Sequence, residues 1–164
     1  MSNIVERFDR VSLGGDGAYS KPTPISIGMI NKHFGIVLPE LLIEFGSTSK
    51  CYDSWFASIG DDHQSKNHII RINNHWRRRK NAFALPRNLV IFNLGFDKDF
   101  DCFDLNIQDQ STGECAVRYW TPGETANTSN YYDCFLSYIE DSVSHWEAEM
   151  QKYSKRKARQ SRAQ

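Results

Sequence analysis

The 164-residue chain predicts a single α+β domain built on a twisted, mainly antiparallel sheet with helices packed on one face and at the ends. Three observations point there. Residues 89–105 form an apolar run, Leu89-Val90-Ile91-Phe92, then a turn over 93–98 holding Gly95 and Asp97, then a segment mixing acids with Phe100, Cys102 and Phe103. That is the pattern of a hairpin with one core face and one acidic rim. A further strand-like run, Cys115 to Trp120, follows a turn containing Asp109, Ser111 and Gly113. On either side of these runs, apolar residues recur at helical spacing.

Taken in order, residues 1–22 are polar, contain Gly14-Gly15-Asp16-Gly17 and lack clear periodicity, so they are expected to be a loose segment. A glycine patch that cradles phosphate needs a strand before it, a helix after it and usually a Lys-Ser/Thr pair, and none is present. Thr23-Pro24 reads as an N-cap followed by proline; Ile27, Ile30 and Phe34 are helically spaced, and Gly35 ends the helix. A second helix starts at Leu38-Pro39-Glu40, carries Leu41, Leu42 and Phe45, and closes at Gly46. Residues 51–59, with Trp55, Phe56 and Ile59, suggest a strand. From Asn67 a helix striped by Ile69, Ile72 and Trp76 is expected to run until Ala84-Leu85-Pro86 stops it. Its Arg77-Arg78-Arg79-Lys80 run could touch phosphates. Four consecutive residues point four ways around a helix, so a solvated helix end whose cations suit the C-terminal dipole is the preferred reading. Residues 121–130 form a loop. The last helix spans about 131–150, striped by Phe135, Ile139, Val143, Trp146 and Met150, and should dock on the sheet. The domain therefore runs from 23 to 151, and 152–164 is a basic tail, either a helical extension or disordered.

That tail holds six Lys and Arg and no acid, although the whole chain balances 20 basic against 20 acidic residues. Residues 1–151 are left with 14 basic and 20 acidic side chains. An acidic body suits a cationic partner and argues against direct nucleic-acid binding. No run approaches the ~20 apolar residues that span a bilayer, so no membrane role is expected. The first residues do not read as a secretory signal, and Cys51, Cys102, Cys115 and Cys134 show no paired spacing. A cytoplasmic protein with reduced thiols is the expectation.

Candidate chemistry is thin. His63, His68, His75 and the cysteines raise the question of zinc, but neither Cys-x-x-Cys nor His-Glu-x-x-His spacing occurs. Cys102 lies among Asp99, Asp101 and Asp104, which disfavour a thiolate. Asp99 and Asp101 share a strand face and could pair as carboxylates, yet no separated acid and base is evident, and solvated rim charge is the simpler reading. No catalytic set, metal or cofactor is expected.

The motifs, taken together, resemble those of the SUKH superfamily, named for a yeast Smi–Knr cell-wall regulator and its bacterial immunity-protein relatives. Phe34-Gly35-Ile36-Val37-Leu38-Pro39, followed by Leu41, Leu42 and Phe45, stands for the family's Leu-Gly-x-x-Leu-Pro segment, with Phe34 in the Leu position. Gly46-Ser47-Thr48-Ser49 replaces the Asn-Gly-Gly often found next. Leu85-Pro86 and Leu89-Val90-Ile91-Phe92 match the lead into the central strand. Lys98-Asp99-Phe100-Asp101-Cys102-Phe103-Asp104-Leu105 is similar to the family's Gly-Asp-x-x-Cys-Phe-Asp-Leu, with Lys98 for Gly. Val117, Tyr119 and Trp120 fit the next strand, but Thr121-Pro122-Gly123 replaces its usual acid-His ending. The likeness spans roughly residues 25–146 in the right order and implies a SUKH-like fold and a non-enzymatic binding domain. Bacterial members are mostly cytoplasmic immunity proteins that bind and neutralise a cognate toxin of a contact-dependent or polymorphic system, often a nuclease.

A basic toxin would meet the acidic body through Asp61, Asp62, Asp97, Asp99 and Asp101, which cluster at expected turns and a strand edge. Aromatic anchors would add the tight component, with Trp120 and Tyr131 first and Trp55, Tyr119 and Tyr132 also available. Singly, each is an ordinary core or surface residue. Two other functions compete: a SUKH-type regulatory or scaffold module with a housekeeping partner, and a small nucleic-acid-binding protein using Arg71, residues 77–80 and the tail.

Overall fold

Strands β1 (Leu89–Asn93), β2 (Phe100–Gln108) and β3 (Cys115–Trp120) lie in the order β1-β2-β3, each pair antiparallel. The computed structural model describes residues 3–12, 20–62, 64–93, 99–123 and 131–161. Val90 faces Phe103 and Phe103 faces Val117, while Ile91 faces Cys102 and Phe100 faces Trp120. The period of two sends these sets to opposite faces. One face holds Phe92 stacked on Phe103 at 4.2 Å, with Phe135 edge-on to both. The other holds Phe100 stacked on Trp120 at 5.6 Å, with Trp76 edge-on.

Helix α1 (Asn3–Val11) buries Ile4, Val5 and Phe8, and Phe8 packs edge-on to Phe45 at 5.1 Å. This corrects the expectation of a loose segment over 1–22. One apolar face spread over nine residues is too short to stand out as a period amid four charges, but it suffices once a partner surface exists. The glycine patch lies outside the described residues. Helix α2 (Pro24–Phe34) starts as read: Ser26 N donates to Thr23 Oγ1 at 3.1 Å and Thr23 N donates to Ser26 Oγ at 3.0 Å, a reciprocal cap. It ends at Gly35, whose φ of +69° is the left-handed conformation. Helix α3 (Glu40–Thr48) passes through Gly46 instead of stopping there. A Cβ at Gly46 would sit 3.0 Å from the Ile59 side chain, so this glycine serves close packing.

No strand forms over 51–59. Helix α4 (Tyr52–Trp55) is a single turn, after which Phe56 and Ser58 make isolated bridges to Asn93 and His68. The aromatics at 52, 55 and 56 are helically spaced, which the strand reading overlooked. Helix α5 (Ile69–Arg77) ends well before Leu85-Pro86. Its Asn73 amide donates to Ile91 O at 2.9 Å and accepts from Ile91 N at 2.8 Å, standing in for a fourth strand along the outer edge of β1. At the other edge, Tyr131 N and Tyr132 N donate to Val117 O at 3.0 and 3.1 Å. Tyr131 and Tyr132 are therefore edge pieces, and helix α6 (Phe135–Ser161) starts later than about 131.

Phe135, Tyr138, Ile139 and Val143 of α6 are buried, while residues 151–157 are exposed and helical, the extension alternative for the tail. Arg7 clamps α1 to α6 through Glu147, at 2.7 and 3.0 Å. Asp104, 1% exposed, accepts from Asn88 Nδ2 and from Asn106 N at 3.0 Å each and is ion-paired with Arg118. It ties the β1–β2–β3 unit together.

Candidate functional site

Charge is segregated along the chain. Residues 93–151, which supply most of the hairpin unit and the docked part of α6, contain twelve Asp and Glu against two Lys and Arg. Residues 1–92 contain eight acidic and twelve basic side chains. Of these twelve acids, four lie in α6 and two in β2, none in β3, and the other six in the segments that join β1 to β2, β2 to β3 and β3 to α6.

Where these elements meet, tyrosines and acids interlock. Tyr119 faces Asp101 across the β2–β3 pair, and its hydroxyl hydrogen-bonds Asp99, which also accepts from Thr121 Oγ1 at 2.7 Å. Those two donors hold the Asp99 carboxyl below its ordinary range, and burial with Asp99 close by pushes the Tyr119 phenol up to about 12. Tyr132 donates to Asp141 Oδ2, and its ring lies edge-on to Tyr131 at 4.7 Å and to Tyr138 at 5.5 Å. Tyr131 is 62% exposed and Tyr119 41%. Asp133, Glu140 and Asp141 are exposed nearby in sequence. This surface is anchored: the Tyr131–Tyr132 backbone is pinned to Val117, and α6 is fixed by its core residues.

The residues expected to form one acidic patch part company. Asp61 is held by α2, accepting from Thr23 Oγ1 at 2.7 Å, and Asp62 turns back on Gln64 N and Ser65 N at 3.3 and 3.1 Å. Asp99 and Asp101 belong to the β3 and α6 side, and Asp97 lies outside the described residues. Asp101 is no rim charge. One of its oxygens accepts from Tyr138 Oη at 2.7 Å and Asn93 Nδ2 at 2.9 Å, making it a strut between β1, β2 and α6. Burial pushes its carboxyl above the ordinary range, against the two hydrogen bonds that favour the anion. Trp120 is 2% exposed in the Phe100–Trp76 cluster, which removes it as an anchor. Trp55 is half-buried between Phe8 and Trp146. Asp133, Glu140 and Asp141 were missed, although residues 119–151 contain no Lys or Arg at all.

Burial raises the thiols of Cys102 and Cys115, the latter to about 12, so both stay protonated and unreactive at neutral pH. Buried His68 accepts from Ile70 N through Nδ1, at 3.3 Å, as the cap of α5. Among the described residues, no three His, Cys, Asp or Glu side chains gather as a metal site, and no helix is long and apolar enough to cross a membrane.

Residues 1–147 match the model of the SUKH_5 family, described as SMI1-KNR4 cell-wall. The chain belongs to this SUKH family. The match takes in α1 and ends at Glu147, the residue that Arg7 of α1 grips. In this SUKH chain the Asp101-Cys102-Phe103-Asp104 motif is a fold determinant: Cys102 and Phe103 are buried, Asp104 ties the strands, and Asp101 joins them to α6. No curated protein matches the sequence. A crystal structure of a protein from Pseudomonas syringae pv. tomato is similar, with TM-score 0.52 and 16% identity over 79% of this chain and 91% of that one. At that identity the likeness shows the α+β fold alone.

Proposed function

We propose that this SUKH protein is an immunity protein, which binds a cognate toxin stoichiometrically and blocks it without chemistry of its own. The partner is a basic protein, and a nuclease-type effector fits best because enzymes that grip polyanions present cationic faces. The observation that carries the reading is the exposed Tyr131 and Tyr119 pair set in acidic residues on a pinned sheet edge. Tyrosine supplies contact area at low entropic cost, and acids around it speed encounter with a cationic face. Exposed charge pairs contribute about 1 kcal/mol or less each, so the aromatics must carry most of the affinity. The buried thiols and the tethered Asp101 further support a binding role over a catalytic one.

Co-expression with a toxin encoded beside it tests this directly. Restored growth and a co-purifying 1:1 complex are expected. Retention in a housekeeping complex, with no protection against such a toxin, would favour the regulatory-module alternative.

A further inference from the structure

Where α5 ends, the surface reverses sign. A groove of about 870 Å³ is lined by Trp76, Arg78, Arg79, Lys80, Phe83 and Thr121, among others. A polar depression of about 510 Å³ shares Arg78 and Arg79 with it and adds Arg71. No described Asp or Glu lines either, and none of these four cations is ion-paired with a described residue.

The cations converge because the helix stops. Had α5 continued, residues 77–80 would have pointed four ways; instead Arg77 alone stays on the body. Its Nη2 donates to Leu89 O at 3.1 Å, and its guanidinium lies 5.0 Å over the Phe34 ring. Arg78 caps the helix, its N–H still donating to Asn74 O at 3.3 Å, and Arg79 and Lys80 follow in the loop beyond it. Their loop is closed by Leu85 N donating to Trp76 O at 3.2 Å and contains a 3₁₀ turn over Asn81–Phe83. Asn81 sits in the left-handed region at φ +55°, an arrangement rare outside glycine. Gly123 N donates to Ala82 O at 3.0 Å, lashing the exit of β3 to the loop. The groove is thus built between two tied segments.

Its chemistry distinguishes between anionic occupants. Nucleic acid wants open aromatic faces on which bases stack. Trp76 has Arg79 5.7 Å over its ring and Phe100 and Trp120 packed against it. Thr121, which lines the groove, donates to Asp99, so a carboxylate lies just behind the lining and disfavours a continuing polyanion. A short anionic segment that stops there fits, and Phe83, 56% exposed, offers an apolar contact beside the cations. We propose that this groove receives a short acidic segment of a protein partner, its carboxylates on Arg78, Arg79 and Lys80 and an apolar side chain against Phe83. This holds whether that partner is a toxin or a housekeeping protein.

The test is fluorescence anisotropy on the full chain at low salt. One probe is a labelled nonapeptide alternating Glu with Leu and Phe; its controls are the same peptide with Gln for Glu and an eight-nucleotide single-stranded DNA. The acidic peptide should bind saturably and at least about tenfold more tightly than the Gln peptide, a loss of about 1.4 kcal/mol for the latter. Arg78→Glu with Lys80→Glu should weaken it at least tenfold, Arg78→Gln with Lys80→Gln should weaken it less, and Tyr131→Ala should leave it unchanged. Circular dichroism checks the fold of each variant. Binding that is absent, equal for the two peptides or undiminished by both double substitutions overturns the proposal. So does DNA that competes the peptide off the wild-type groove. Tyr131 lies outside the groove, so failure here leaves the tyrosine surface standing.

Discussion

Replacing Asn73 probes the joint that holds the cationic loop and the sheet in one frame. Ile91 is fully buried, and its N–H and C=O both turn to the Asn73 amide. Asn73→Ala leaves both backbone groups without that partner, at about 1–3 kcal/mol each, so a loss of about 2–6 kcal/mol is expected. Against a typical domain stability of about 5–15 kcal/mol, that is a large fraction. Asn73→Asp is the sharper change. One oxygen can still accept from Ile91 N, but the other would face the carbonyls of Ile69 and Ile91, now reached by the amide nitrogen at 2.9 Å each. Only the protonated acid can donate there, so the folded state raises this carboxyl. The variant should then be closest to wild type in acid, with its stability falling as pH rises through the raised value. Urea denaturation followed by tryptophan fluorescence at pH 5 and 7.5 measures both. With a urea m-value of about 2 kcal/mol/M, a 3 kcal/mol loss lowers the midpoint by about 1.5 M. A midpoint for Asn73→Ala within about 0.3 M of wild type, or an Asn73→Asp deficit independent of pH, would refute the edge-mimic account.

Other outcomes follow from neighbouring contacts. Tyr138→Phe removes one of two donors to Asp101 and should cost about 1–3 kcal/mol at neutral pH. The native carboxyl is already raised, so the deficit should shrink in acid, where Asp101 is protonated; denaturation at two pH values shows this. Arg118→Ala strips the buried Asp104 of its counter-charge and should cost about 3–5 kcal/mol by the same assay. Trp120→Ala should cost about 3–5 kcal/mol as a core truncation, whereas Tyr131→Ala should stay within about 0.5 kcal/mol of wild-type stability.

What could be read in advance was local. Thr23-Pro24, Gly35 and the run 115–120 carry their own caps and periodicity, and each element formed where those signals stood. Helix α1 escaped because its stripe is only nine residues long, and the aromatics at 52, 55 and 56 suited a helical turn that a strand reading ignored. Site residues were less legible because exposure is decided by distant partners. Asp101 and Tyr138 lie 37 positions apart, and only their meeting turns a presumed rim charge into a strut. Trp120 became core when Trp76 closed over it. The dispersal of Asp61 and Asp62 from Asp99 could not be seen from turn positions, since separate elements hold them.

Titration calorimetry of the purified protein against its co-purifying partner tests the central claim most directly, using wild type, Tyr131→Ala and the Asp133→Lys, Glu140→Lys double variant. The account predicts 1:1 binding, weakened at least about tenfold by Tyr131→Ala, with the charge-reversed protein losing affinity most at low salt. Unchanged affinity in both variants would contradict it.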